Sequence, residues 1–247
     1  MGVPTLGCPC RVCHSQDPRD NRTRPSVMFS RSGHNVVIDT TPDFRQQALR
    51  QNLQRLDAVV YTHSHADHIL GFDDIRPYNM RQGCPMPMYG SQDTLAALKR
   101  TFSYAFVEPA PGITIPQVTL HVVNGPFELL DTLWTPVPAE HGNVLVLGFR
   151  VGGLGYLTDF SRLPAESKPL LAGVDDLVLD ALRDIPHPMH QTVQQALDLI
   201  SELRPKRAWF THIAHDLPHR ETNERLARQG YSHVQLAYDG LSFEVRL

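Results

Sequence analysis

A mixed α/β fold is what this sequence predicts, on three observations. From about residue 27 onward, segments with the two-residue alternation of strands interleave with segments of helical periodicity. No long linker interrupts them. Histidines and aspartates recur where an apolar, strand-like run gives way to a loop, the place where α/β proteins put their chemistry.

Composition bounds the rest. The chain has 247 residues, 41% hydrophobic and 20% charged, with a net charge of -3, which describes a soluble globular protein able to bury a sizeable core. We expect a single domain over residues 1–247, with an N-terminal loop at about 7–15 set apart by its cysteines. No apolar run approaches the roughly 20 residues that cross a bilayer, and "MGVPTLGCPC" lacks a basic segment followed by a hydrophobic one, so a membrane partner is not expected and the cytoplasm is. Lys and Arg are scattered without a basic stripe, which gives nucleic-acid binding no electrostatic support. The oligomeric state is left open, a homodimer included.

Taken in order, "VMFSRSGHNVVID" reads as two strands about a Ser32-Gly33 turn, and Phe44, Ala48, Leu49, Leu53 and Leu56 then recur at helical spacing through residue 56. The strand "DAVVYT" delivers His63 at its end. "VTLHVV", "NVLVLGFRV", "LGYLTD", "DDLVLDA", "RAWFT", "HVQLAYD" and "LSFEVRL" read as strands, and residues 92–103, 163–172, 191–203 and 220–229 as helices. Gly152, Gly153 and Gly155 in "RVGGLGYL" lack the strand-turn-helix context of a nucleotide cradle and are expected to form a turn. "VVIDTTPDF", helix, "AVVYTHSH" is faintly echoed by "GYLTDFS", helix, "LVLDA" and "WFTHIAH", as if two related halves each offered side chains from strand ends.

The stretch "YTHSHADHILG" packs His63, His65, Asp67 and His68 into six positions. Histidines at i and i+2 share a strand face but no helical face, while the adjacent Asp67 and His68 would point to opposite sides of a strand, so the four converge only where the chain turns sharply. Imidazole and carboxylate suit zinc, manganese and iron, and two such ions need more ligands than one loop provides. His141 in "VPAEHGN", Asp159 in "YLTDFS" and His212 in "WFTHIAH" stand at later strand ends. A lone histidine or strand-end aspartate is ordinarily a hydrogen-bonded cap. Four such groups in six positions would repel or stay unsatisfied without a cation.

"THSHADH" resembles the HxHxDH signature of the metallo-β-lactamase superfamily, and the resemblance runs through essentially the whole chain. It implies an αββα sandwich, two mixed sheets face to face with helices outside. It further implies a dimetal site, with His63, His65 and His141 on one ion, Asp67, His68 and His212 on the other, and Asp159 bridging. "GCPCRVCHSQDPRDNRTRPSV", with "VVIDTTPDFR", "GFDDIRP", "EHG", "LTDF" and "HPMHQTVQQAL", is similar to the branch that contains phosphoribosyl 1,2-cyclic phosphate phosphodiesterase. That likeness implies a Zn2+- or Mn2+-dependent hydrolase of small-molecule phosphodiesters, above all strained cyclic ones. One departure is that relatives begin with a strand and a Gly-Thr-Ser turn ahead of "GVP", which leaves an edge strand of the first sheet unaccounted for.

Cys8, Cys10 and Cys13 are too tightly spaced for a disulfide framework, and in a reducing compartment such spacing favours a metal. A structural zinc wants a fourth ligand. The resemblance implies His215, with His14 and His219 as rivals, and the plain alternative is three thiols that merely pack. Cys84 is expected to pack.

A bridging hydroxide shared by two cations would attack phosphorus in line with the leaving oxygen. His190, just ahead of an amphipathic helix, is the candidate to protonate that oxygen or to hydrogen-bond phosphate; the alternative is a cap or a surface histidine, and His187 is a weaker candidate. Asp67 is taken as catalytic as well as metal-binding. Asp39 either orients a ligand histidine or simply opens a helix. Arg76, beside Asp73 and Asp74, either meets phosphate or forms a surface pair. Rival functions are a dimetal hydrolase of RNA, a thioester or a lactam, and a non-catalytic carrier of the same fold; the intact ligand set favours a hydrolase over a carrier.

Overall fold

Ser32 and Gly33 both take left-handed backbone angles, φ 51 and φ 81, and close the first hairpin in the manner of a two-residue turn matched to strand twist. The computed structural model describes residues 2–247. The hairpin strands are β1 (Val27–Arg31) and β2 (His34–Ile38), paired antiparallel from Val27 opposite Ile38 to Arg31 opposite His34. β3 (Ala58–Val60), β4 (Met86–Gly90) and β5 (Val118–Val122) then add in parallel, giving a mixed sheet in the order β1-β2-β3-β4-β5. Helices α1 (Phe44–Arg50), α2 (Ala66–Ile69), α3 (Arg76–Gln82) and α4 (Gln92–Thr101) accompany it. Phe44, Leu56, Val59, Phe72, Ile75, Met88 and Leu98 form the core of this unit, which spans Arg24–Gly125.

Two expectations change here. The helix predicted through residue 56 stops at Arg50, because Asn52 turns left-handed at φ 49. Leu56 is fully buried, yet it enters the core from the lead-in to β3 rather than from a helical face. The short α2 and α3 carry too few turns for periodicity to reveal.

The second unit joins Pro126–Leu247 to the chain up to Thr23. Its sheet runs β12-β11-β10-β9-β8-β7-β6, built from β6 (Phe127–Glu128), β7 (Leu133–His141), β8 (Val144–Val151), β9 (Leu154–Leu157), β10 (Asp176–Asp180), β11 (Arg207–Thr211) and β12 (Val234–Leu236). β6 to β9 are antiparallel, and β9 to β12 are parallel. α5 (Val193–Leu203) starts from a capping box between Thr192 and Gln195 and buries Val193, Ala196, Leu197 and Ile200 against the sheet. α6 (His219–Arg228) does the same with Leu226. The chain thus holds two mixed sheets flanked by helices.

β7 was not legible because Pro136 and Pro138 sit inside it. Prolines are tolerated on unpaired strand edges. β6 pairs only with Leu133 and Trp134, which leaves that side of β7 open at both prolines. The helix expected over 163–172 reduces to one 3-10 turn at Lys168–Leu171, since Pro164 and Pro169 deny it a continuous ladder. The expected strand at 241–247 does not pair; its Phe243 stacks on Trp209 at 4.1 Å, and its Arg246 carbonyl accepts the Gly153 N–H at 2.7 Å. Gly152, at φ 54, makes the expected turn, and a Cβ there would overlap the Arg246 carbonyl.

Candidate metal centres

In the first unit the chain leaves β3 at Val60, buries Tyr61 against Thr40, and reaches Thr62 and His63. Asp39, at the end of β2, is fully buried and left-handed at φ 65. Its carboxylate accepts the Thr62 N–H at 2.8 Å and the Thr62 hydroxyl at 2.7 Å, and meets His68 Nδ1 at 2.7 Å. A carboxylate only accepts, so Nδ1 of His68 carries the proton and its lone pair lies on Nε2. The ring of His63 lies 4.6 Å from that of His65 and 4.2 Å from that of His68, and Asp67 Oδ2 stands 4.0 Å from His68 Nε2. The four side chains of the motif are therefore gathered at the start of α2. Gly71 ends the motif because a Cβ there would overlap the Thr41 carbonyl, while its N–H donates to the Thr40 carbonyl at 2.9 Å.

In the second unit β7, β9, β10 and β11 end in His141, Asp159, Asp180 and His212, with Asp159 two positions past its strand and His212 one past. Asp159 and His212 are buried and left-handed, at φ 51 and φ 54. With Asp39 they make three non-glycine residues held in a costly conformation at strand ends, which is typical of functional sites. His212 Nε2 approaches Asp159 Oδ1 at 3.2 Å. His141 Nδ1 lies 2.7 Å from the Met189 carbonyl, so His141 too is fixed with its lone pair on Nε2.

His190 sits on a loop closed by the Leu182 N–H donating to the Gln191 carbonyl at 3.0 Å. Its Nδ1 meets Asp180 Oδ2 at 2.7 Å, and its ring stacks on His212 at 4.7 Å and lies 4.8 Å from His141. Thr192 caps α5, so the capping role foreseen as an alternative for His190 is filled. Asp180 was missed by sequence reasoning, although "LVLDA" ends like the other site-bearing strands. Asp180, His190 and His212 form a further trio close enough to hold an ion. Complete burial pushes the Asp180 carboxyl well above the usual carboxylate range, against the pull of His212.

His187 accepts the Met189 N–H at Nδ1, 3.2 Å, and lies one ring beyond His190. Arg76 is a surface strut: it donates to the Thr114 carbonyl at 3.1 Å and pairs with Asp73 at 3.5 Å. Cys84 does not pack as expected. It is exposed in the turn before β4, where its carbonyl rather than its thiol is used, by Asn79.

The three N-terminal thiols converge on His215 Nδ1, with Cys8, Cys10 and Cys13 Sγ at 3.2, 3.3 and 3.6 Å. Tetrahedral zinc with bonds of about 2.3 Å to sulfur and about 2.05 Å to nitrogen puts S and N about 3.6 Å apart, so the group fits a Cys3His zinc site. The Cys13 N–H donates to Cys10 Sγ at 3.4 Å and chiefly holds that thiol down at about 6, where thiolate forms readily. His14 is exposed, and His219 opens α6 with its N–H on Asp20; His215, not its rivals, completes the group.

Comparison with known proteins gives this arrangement its place. The β-lactamase superfamily domain matches residues 34–213. A curated octanoyltransferase from Porphyromonas gingivalis is 36% identical over 97% of this chain, and the chain spans 48% of its length. The crystal structure of a diphosphatase of the PhnP family superposes at TM-score 0.90 with 47% identity, covering 100% of this chain and 95% of that one. Zn2+-bound PqqB of Methylobacterium extorquens, at TM-score 0.73 and 20% identity over 99% of this chain and 96% of that one, shares the fold. Two mixed sheets with His and Asp clusters at their strand ends define a metallohydrolase scaffold. The chain belongs to the metallo-β-lactamase superfamily and, within it, to the PhnP-like branch. Among the described residues no helix is long and apolar enough to cross a membrane.

Proposed function

We propose that the chain is a dinuclear metal-dependent phosphodiesterase that opens a cyclic phosphodiester, of the phosphoribosyl cyclic phosphate kind, to a monoester. The observation that carries the reading is the fixed orientation of three imidazoles. His68, His141 and His190 each have Nδ1 tied to an acceptor, which turns Nε2 to the task. In this reading His63, His65 and His141 hold one Zn2+ or Mn2+, Asp67, His68 and His212 the other, and Asp159 both. When bound, the two cations supply activated water and neutralise the phosphate oxygens.

The chain's own residues do the rest. Asp39 fixes the tautomer of His68. Asp180 holds His190 through Nδ1, so that the ring, when protonated on both nitrogens, gives its Nε2 proton to the oxygen that leaves phosphorus and is left as the neutral imidazole. Cys8, Cys10, Cys13 and His215 hold a structural Zn2+ that ties the N-terminal loop to the segment following His212. Reduced thiols set for zinc suit the cytoplasm.

The diphosphatase likeness, at 47% identity over the whole chain, favours a second substrate, a phosphoanhydride, for the same residues. Acyl transfer draws less support, because the octanoyltransferase is about twice this chain's length. The test is a metal-reconstituted assay on cyclic ribose phosphates, cyclic nucleotides, a nucleoside diphosphate, a thioester and a β-lactam. Preference for a cyclic phosphate supports the reading; preference for the thioester or lactam contradicts it.

A further inference from the structure

Arg22 is buried, with 7% of its side chain exposed, and it stands outside every metal-ligand set described above. Its Nη2 donates to the carbonyls of Ala214 at 3.4 Å and Leu217 at 3.2 Å, which flank His215. Its Nη1 donates to the Arg19 carbonyl at 3.3 Å and lies 3.5 Å from Asp20 Oδ1. Asp20, itself buried, accepts the His219 N–H at 2.8 Å and so meets the far end of the same segment. The backbone of Arg22 exchanges both of its hydrogen bonds with Val3, each 2.8 Å, closing the loop that holds all three cysteines.

We propose that Arg22 is a positioning residue for the Cys3His zinc site, holding the 213–218 segment and the cysteine loop in register whether or not the metal is bound. A guanidinium suits the task because its two Nη groups, held apart in one rigid plane, reach the Ala214 and Leu217 carbonyls on one side and the Arg19 carbonyl on the other, a spread that the single nitrogen of an ammonium does not match. Burying that charge is costly unless it is hydrogen-bonded, and here the backbone carbonyls and Asp20 supply partners for both Nη groups, while Nε is buried without one among the described residues. The Arg11 pair with Glu221, 2.7 Å, also joins the loop to α6 but is solvent-exposed and weak. With both ends of the loop and the His215 segment already fixed, zinc orders little on binding, so its affinity is enhanced.

The inference rests on reading the cysteine cluster as a zinc site, and the test separates the two. Co2+ bound to thiolates gives a charge-transfer absorption that the His and Asp sites lack, so it reports this site alone, and Zn2+ competition against it gives the affinity. Arg22→Met is expected to weaken Zn2+ binding about tenfold or more, with Arg22→Lys recovering part of the loss. In metal-stripped protein, hydrogen exchange of the 213–218 amides is expected to quicken in Arg22→Met. Zn2+ affinity within twofold of the parent, or unchanged amide protection, overturns the proposal. Absence of the Co2+ band in the parent overturns the zinc reading, and the exchange arm then still decides the role of Arg22 in fixing the segment. If Arg22→Met does not fold, Arg22→Lys carries both arms with the same expected direction.

Discussion

Asp39 Oδ2 and His68 Nδ1 lie 2.7 Å apart, and neither side chain is exposed to solvent. The pair joins the end of β2 to α2, and through Thr62 it also fixes the chain entering His63. Asp39→Asn tests what the charge contributes, because asparagine tolerates the left-handed backbone at this position. The variant should fold and bind one cation about 10- to 100-fold more weakly, as found for partners that orient ligand histidines. Isothermal titration with Zn2+ or Mn2+ measures it, and an unchanged affinity would remove Asp39 from the site.

His190 and Asp180 should act together on the leaving group. His190→Ala is expected to slow hydrolysis of an alkyl or ribose diester about a hundredfold or more, and to matter far less for bis(p-nitrophenyl) phosphate, whose leaving group needs no proton. Asp180→Asn should move the rates in the same order, less strongly. Equal losses on both substrates would mean that His190 binds phosphate and donates no proton to the leaving oxygen.

Cys10→Ser should lower the zinc content by about one equivalent and lower Tm, because metal binding adds to folding free energy. Elemental analysis beside a thermal melt reads both. A full complement of zinc in the variant would leave the thiols as packing groups.

Asp57 makes an acid-sensitive contribution to stability. Burial raises its carboxyl, but hydrogen bonds from His34, the Asn35 N–H and Arg55 outweigh that and leave it below its ordinary value. A carboxyl depressed in the folded state stabilises it above the unfolded value of about 3.9, and the stabilisation is lost as pH falls through the folded value. Asp57→Asn should therefore lower Tm at neutral pH and flatten its decline below about pH 4. An acid limb identical to the parent's would assign that decline to other carboxylates.

What the sequence revealed divides along physical lines. The Ser32-Gly33 hairpin was legible from local turn chemistry, and α5 from the helical spacing of its buried Val193, Ala196, Leu197 and Ile200. His63, His65, Asp67 and His68 stood out by density alone. β7 was hidden because the tolerance of Pro136 and Pro138 depends on how little of the strand β6 covers, a tertiary fact. Asp180 reads in sequence like any aspartate ending a strand, and only its contact with His190 gives it a role. The left-handed backbones of Asp39, Asp159 and His212 leave no mark in composition or periodicity, and residues 241–247 alternate like a strand while serving to cover Trp209.

The claim on which the function depends is that the strand-end histidines and aspartates hold two cations used in hydrolysis, and Asp159→Asn tests it most directly. Asparagine tolerates the left-handed φ there, so the backbone survives while the carboxylate assigned to both ions is lost. Metal content and diesterase rate, measured on the same purified preparation, should fall together, with up to about two equivalents lost and the Cys3His zinc retained. Full metal content with undiminished hydrolysis would contradict the account.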